Sequence, residues 1–171
     1  MICAHRLGSY DFLENTVPAA VHSVQNSGAH MLQVEIRSTK DHVPIMVHDM
    51  DLSRLCAIGR MTHEFEYKKL PLMSKLPINV PFCMDKETGM SKLYQRKKGD
   101  SQKVNSFEEL LKGLEKVDKN RDVWLNIEFK DADLDAIGES HRLLKLYKRE
   151  QTTIWSHVDD ELAEALTAID P

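Results

Sequence analysis

Short apolar runs, separated by polar and turn-forming stretches, organise the first and last thirds of the chain. Ile2–His5 reads as a very short first strand. Asn15-Thr16 offers helix caps and Pro18 stands in the first turn of the helix that follows. That helix runs to about Asn26, where Ser27-Gly28 stops it. Met31 to Ile36 alternates toward a second strand, and Val43 to Val47, dense in β-branched residues, is a third. This strand–helix–strand rhythm is that of an α/β protein. Farther on, Ser106 followed by Glu109 is a capping box for a helix that starts at Phe107. Val123–Phe129 reads as a fourth strand. Leu134–Arg149 reads as an amphipathic helix with Leu143, Leu144, Leu146 and Tyr147 on its apolar side. Thr152–Trp155 is a fifth strand and Asp160–Ile169 a last helix. Between about residues 50 and 104 no clean period survives. Thr62–Leu70 predicts a short helix, and the remainder reads as a long excursion over the mouth of the fold.

The strand ends carry the chemistry. His5 closes the first strand, Glu35 the second and His48 the third. Glu128 and Lys130 lie at the end of the fourth, two apart, so both point to one face. Polar residues at the C-terminal ends of successive strands are how a barrel enzyme assembles its site. Two histidines, carboxylates, Arg6 and Lys130 suit acid–base chemistry on a phosphate held by a hard metal ion.

These residues also carry a resemblance. His5-Arg6 with Glu14-Asn15-Thr16, then Glu35 through Asp41 and on to His48-Asp49 with Leu52 and Arg54, then Asn126-Ile127-Glu128-Phe129-Lys130 and Thr153-Ile154-Trp155-Ser156 follow one another in an order similar to the glycerophosphodiester phosphodiesterases. The arrangement is most similar to the family's eukaryotic, membrane-associated branch. The resemblance implies a TIM-barrel-like (β/α)8 fold of class α/β. It implies hydrolysis of glycerophosphodiesters or lysophospholipids to glycerol 3-phosphate or a lysophosphatidic acid plus an alcohol. By motif, His5 and His48 are the catalytic pair, with the acid and the base not distinguished. Arg6 and Lys130 hold the substrate phosphate. Glu35 and Glu128 are metal ligands for Mg2+ or Ca2+, and Glu35 replaces the usual aspartate. Gln33 stands where a third carboxylate is usual and is a weak, neutral ligand, so weaker metal binding is expected. Leu7 stands where the family favours glycine, which is expected to crowd the phosphate or strain the turn. Glu14 holds Arg6 or caps the next helix; Asp49 orients His48 or caps the segment after it.

Five strands fall short of eight, and 171 residues fall short of the roughly 250 typical of such a barrel. The chain is therefore expected to be one incomplete domain over 1–171, a five-strand arc of parallel sheet with two unpaired apolar edges that invite self-association or a partner chain. Gln33, Leu7 and the missing strands favour an alternative: a relative or fragment that binds a phosphodiester, lipid headgroup or partner without turnover.

Composition narrows the setting. Hydrophobic content of 42% and charged content of 29% are ordinary for a globular domain. A net charge of −4 argues against a nucleic-acid partner. The basic run Gln95-Arg96-Lys97-Lys98-Gly99 is a solvated loop or a contact for a membrane periphery rich in anionic lipid. Cys3, Cys56 and Cys83 lack metal spacing and are expected as free thiols in a reducing compartment, with Cys3 in the core. No stretch approaches the ~20 apolar residues of a membrane span, and Met1-Ile2-Cys3-Ala4 is too short for a signal peptide. A cytoplasmic chain, or one peripheral to an intracellular membrane, is the expectation. Trp124 and Trp155 are assigned to the core, and His22, His30, His42, His63, His141 and His157 to ordinary surface or core roles.

Overall fold

The computed structural model describes residues 1–9, 11–84, 87–157 and 160–169. Its centre is a parallel sheet of β1 (Cys3–Ala4), β2 (Met31–Ser38), β8 (Trp124–Phe129) and β9 (Thr153–Ser156), in that order. Short strands β3 (Pro44–Met46), β4 (Asp51–Leu52), β5 (Ile58–Met61), β6 (Ile78–Met84) and β7 (Ser91–Tyr94) fall between β2 and β8 in the chain. The helices are α1 (Val17–Gln25), α2 (Ser53–Cys56), α3 (Phe107–Val117), α4 (Leu134–Leu146) and α5 (Asp160–Ile169).

Each long helix starts where its capping chemistry sits. Thr16 Oγ1 accepts from Ala19 N ahead of α1. Ser106 and Glu109 close the reciprocal box of α3. Asp133 accepts from Asp135 N and Ala136 N at α4. The apolar stripe of α3 (Phe107, Leu110, Leu111 and Leu114) is buried against the sheet together with Leu32, Val34, Ile36, Leu125, Ile127 and Phe129. A Cβ on Gly113 would stand 2.6 Å from Val17 Cγ1, so glycine is what lets α3 close on α1.

The third strand differs from its expectation. β3 runs antiparallel to β2, pairing Ile36 with Met46 and Ser38 with Pro44. The five residues between them are too few for a parallel crossover, which needs a dozen or more. The sheet is thus four parallel strands with one antiparallel return, not an arc of five parallel strands. The barrel is not closed.

The stretch between β3 and α3 is more regular than its sequence predicts. It forms the hairpins β4–β5 and β6–β7. Its Val47, Leu52, Leu55, Met73, Ile78, Val80 and Tyr94 form a second apolar cluster with Leu13 and with Ile45 of β3. The helix expected over Thr62–Leu70 is two separate 3-10 turns, Thr62–Glu64 and Tyr67–Lys69. Leu146, assigned to the apolar face of α4, is 59% exposed because the helix ends there. Cys3 is exposed and Cys56 buried, both free; the Cys83 side chain lies outside what is described. Trp124 is 37% exposed, on the same strand face as Asn126 and Glu128 and opposite the helices, whereas Trp155 stacks on Phe129 at 5.4 Å. Among the described residues no helix is long and apolar enough to cross a membrane.

Candidate active site

Parallel pairing of β2 with β8 fixes the centre of the site. Gln33 is in register with Asn126, and Glu35 with Glu128. These residues share one face, and the alternate residues Val34, Ile36, Ile127 and Phe129 go to the core. The Lys130 ammonium sits between the carboxylates, paired with Glu128 and 3.6 Å from Glu35 Oε1.

β1 delivers the next residues through a left-handed turn. Arg6, Leu7 and Gly8 have φ of 49°, 65° and 104°. Such backbone costs a non-glycine residue roughly 1–2 kcal/mol, and it is held by its surroundings. Ser23 Oγ donates to Leu7 O at 2.9 Å, and a Cβ on Gly8 would lie 2.1 Å from Ser23 Oγ. The turn aims Arg6 N–H at Gln33 Oε1, 2.9 Å away. Leu7 takes the strain expected of it, but its side chain is fully buried in the core rather than in the mouth.

Gln33 is oriented without ambiguity. A backbone N–H only donates, so the amide oxygen faces Arg6 and the amide nitrogen donates to Glu128 Oε2 at 2.9 Å. As placed, Gln33 turns no oxygen toward the space between Glu35 and Glu128.

Glu35 is 2% exposed and ringed by donors: Arg6 Nε at 3.1 Å, Asn15 Nδ2 at 3.0 Å and His48 Nε2 at 3.9 Å, besides Lys130. His48 reaches it because β3 returns along β2, where Val47 N donates to Glu35 O at 3.1 Å. Arg37 Nε donates to His48 O and its guanidinium pairs with Asp131. His48 Nδ1 meets Asp49 Oδ1 at 2.8 Å, which leaves Nε2 facing Glu35.

Arg54 ties this group together. It donates to Asp49 Oδ2 at 2.6 Å and to both oxygens of Glu14, which also accepts from Arg6 Nη1 at 3.0 Å. Burial works against the Asp49 carboxylate, yet Arg54 and His48 hold its pKa below the usual range. Burial likewise opposes the Arg54 cation, and the two carboxylates raise its pKa above the ordinary arginine value. His5 lies at the solvent side. Partial burial, then Arg6, lower its pKa below 6.5, against the pull of Glu35, Glu14 and Glu128.

The fold therefore brings His5, Arg6, Glu14, Gln33, Glu35, His48, Asp49, Glu128 and Lys130 into one region. Arg54, Arg37 and Asn15 carry no expected role, although all three lie within the motifs. Their signal was their spacing from Glu14 and Asp49. A second group, His42 with Asp133 at 2.9 Å and Asp135 at 3.9 Å, stands at the tip of the β2–β3 hairpin. The hydrogen bond that His42 donates to the Asp133 carboxylate raises the His42 pKa, and Asp133 also caps α4.

The pattern of residues over 5–169 matches the family model described as the glycerophosphoryl diester phosphodiesterase family. The chain belongs to this family. It is 27% identical over 167 residues to lysophospholipase D GDPD1 of Mus musculus, across 94% of this chain and 46% of that protein. It is 24% identical to lysophospholipase D GDPD3 of Homo sapiens, across 98% of this chain and 48% of that protein. The chain thus spans about half the length of these relatives. Among solved structures, a glycerophosphoryl diester phosphodiesterase from Silicibacter pomeroyi superposes with a TM-score of 0.75 at 16% identity, covering 99% of this chain and 61% of that one. A phosphodiesterase from Oleispira antarctica, solved with the product sn-glycerol-3-phosphate, gives 0.68 at 17% identity, covering 93% of this chain and 57% of that one. Both share the family's TIM-barrel-like fold with the open parallel sheet seen here.

Proposed function

We propose that this chain carries the hydrolytic centre of a metal-assisted phosphodiesterase. The proposed substrates are glycerophosphodiesters or lysophospholipids, cleaved to glycerol 3-phosphate or a lysophosphatidic acid and an alcohol. The observation that carries this reading is the convergence of His48 and Lys130 on the Glu35–Glu128 pair, with His5 and Arg6 beside it.

The donor set fits a divalent cation of the Mg2+ or Ca2+ kind. Glu35 Oε1 and Glu128 Oε1 already converge on a positive charge, that of Lys130, and hard cations take carboxylate oxygens. Two carboxylates would hold it, with Gln33 contributing weakly if its amide turned. Such an ion, when bound, neutralises phosphoryl oxygens and stabilises the charge that builds on them. Lys130 would exchange its carboxylate partners for the substrate phosphate. Arg6, anchored by Glu14, adds its guanidinium field from the other side. The depressed pKa leaves His5 neutral near pH 7, which suits the base that takes the proton of the attacking oxygen. His48 is then left to protonate the departing alkoxide, oriented by Asp49 through Nδ1.

Gln33 favours a second reading, binding without turnover, since its amide satisfies Glu128 where a third carboxylate would have drawn in metal. One experiment separates the two. Purified chain is incubated with glycerophosphocholine and with lysophosphatidylcholine, in Mg2+, Ca2+ or EDTA, and released choline is assayed beside His48→Ala. Metal-dependent release that the variant loses supports hydrolysis. A folded chain that binds metal yet releases nothing supports the second reading.

A further inference from the structure

We propose that the arm between β5 and α3 is a docking surface for an anionic phospholipid bilayer. Residues 68–103 carry nine Lys and Arg against three Asp and Glu, a net +6. The whole chain is at −4, so the remaining residues, with 14 cations and 24 anions, stand at −10. Charge is therefore segregated: a basic arm on an acidic body. Such a body is repelled by an anionic surface, so only the arm can face it.

The arm is apolar as well as basic. Leu72, Leu76, Met90 and Leu93 are between 59% and 71% exposed, on a segment in which Met73, Ile78, Val80 and Tyr94 are buried. Pairing of Asn79 with Leu93 places Leu93 on the outer face of the β6–β7 hairpin, opposite the buried pair Ile78 and Tyr94. Cations and exposed leucines lie together. One cleft of about 290 Å³ is lined by Lys92, Leu93 and Lys97, and the next, about 310 Å³, by Leu72, Lys75, Lys97 and Lys98. Lys97 belongs to both, so the surface is continuous. Apolar side chains ringed by lysines match the headgroup region of an anionic bilayer, where ammonium groups meet phosphate and short apolar groups enter the acyl boundary.

The arm is also fastened to the site. Lys97 Nζ donates to Asp11 O at 2.6 Å, Ser9 lines the first cleft, and Arg54 donates to Asn79 O at 3.0 Å. A bilayer on this surface would lie beside the turn that carries His5 and Arg6. The biological use rests on the proposed reading of the site as one that takes lipid phosphodiesters, but the docking itself is measured without turnover.

The test is co-sedimentation of the chain with vesicles of phosphatidylcholine alone or mixed with phosphatidylserine, at low and high salt. Wild type and His48→Ala are both expected to bind the mixed vesicles, not the neutral ones, and to be released by salt. Each lysine removed is worth roughly fivefold in partitioning. Lys75→Glu with Lys98→Glu should therefore weaken binding on the order of 25-fold or more. Leu72→Ser with Leu93→Ser should weaken binding to the mixed vesicles at low salt. Both pairs are exposed, and release of choline from soluble glycerophosphocholine should match wild type. Lys98→Ala alone serves should a double variant fail to fold. Equal binding to both vesicle types, no binding, or variants that bind as wild type would overturn the proposal. Loss of hydrolysis with vesicle binding intact would count against the catalytic reading only.

Discussion

Gln33→Glu probes the centre of the site most directly. In wild type the amide donates to Glu128 and accepts from Arg6 N–H. A carboxylate keeps the second bond and loses the first, and it sets a second negative oxygen where the amide nitrogen stood 2.9 Å from Glu128. A hydrogen bond to a charged group contributes about 1.5–3 kcal/mol. Two like charges about 4 Å apart at an effective dielectric of about 20 repel by roughly 4 kcal/mol before the side chains relax. Rotation of Glu128, which is part-exposed, relieves much of that. We expect a net loss of about 3 kcal/mol in EDTA, or roughly 6–12 °C in Tm for a domain of this size. Divalent metal offsets part of this loss, because a third carboxylate adds charge to the cation site. Metal affinity should rise by about tenfold or more, and metal at about 100 times its Kd returns roughly 2.7 kcal/mol. Thermal melts with EDTA, Mg2+ and Ca2+, paired with calorimetric metal titration, read both effects. A variant as stable as wild type in EDTA would refute the Gln33–Glu128 bridge. Unchanged metal affinity would place position 33 outside the cation's reach.

Arg54→Ala leaves the buried Glu14 carboxylate with Arg6 alone and frees Asp49, so urea unfolding should report a loss of about 3–5 kcal/mol. Arg54→Lys should regain part of the stability but less of kcat, because a single ammonium cannot span Glu14 and Asp49; equal recovery of both would remove Arg54 from the positioning of His48. His5, followed by NMR in the metal-free chain, should titrate below 6.5, and Arg6→Met should move the midpoint up. Since the unfolded chain takes the proton more readily, this histidine's contribution to stability is present above about pH 6.5 and is lost as the pH falls through the folded value. A midpoint at or above 6.5 in wild type would contradict the burial and charge argument.

How far the sequence reached depended on whether a signal was local. Helix starts at Thr16 and Ser106 were legible because a cap and its partner lie three residues apart. The site's membership was legible because each residue ends a strand or sits in a short motif. Orientation within the site was not. Nothing local says that Gln33 turns its oxygen to Arg6 or that Leu7 points into the core, since both follow from contacts made 16 to 27 residues away. The direction of β3 was misjudged because its β-branched run looks the same in either sense; the short link that decides it had to be weighed against a rhythm suggesting crossovers. Trp124 was assigned to the core on size, whereas its strand face is the one the helices do not cover.

The charged groups from His48 through Asp49, Arg54, Glu14, Arg6 and Glu35 to Lys130 and Glu128 form one unbroken lattice. Energies in such a lattice are pooled, and changes at neighbouring members do not add. The lattice therefore constrains how this sequence can drift. A substitution that is harmful alone at one node becomes tolerable once a neighbour has changed. Gln33 beside Glu128, with Lys130 as resident counter-charge, has the form of such a settled pair. Placing a carboxylate at position 33 alone would then disturb the site before it improved it, and the order in which changes are made would decide which variants stay folded.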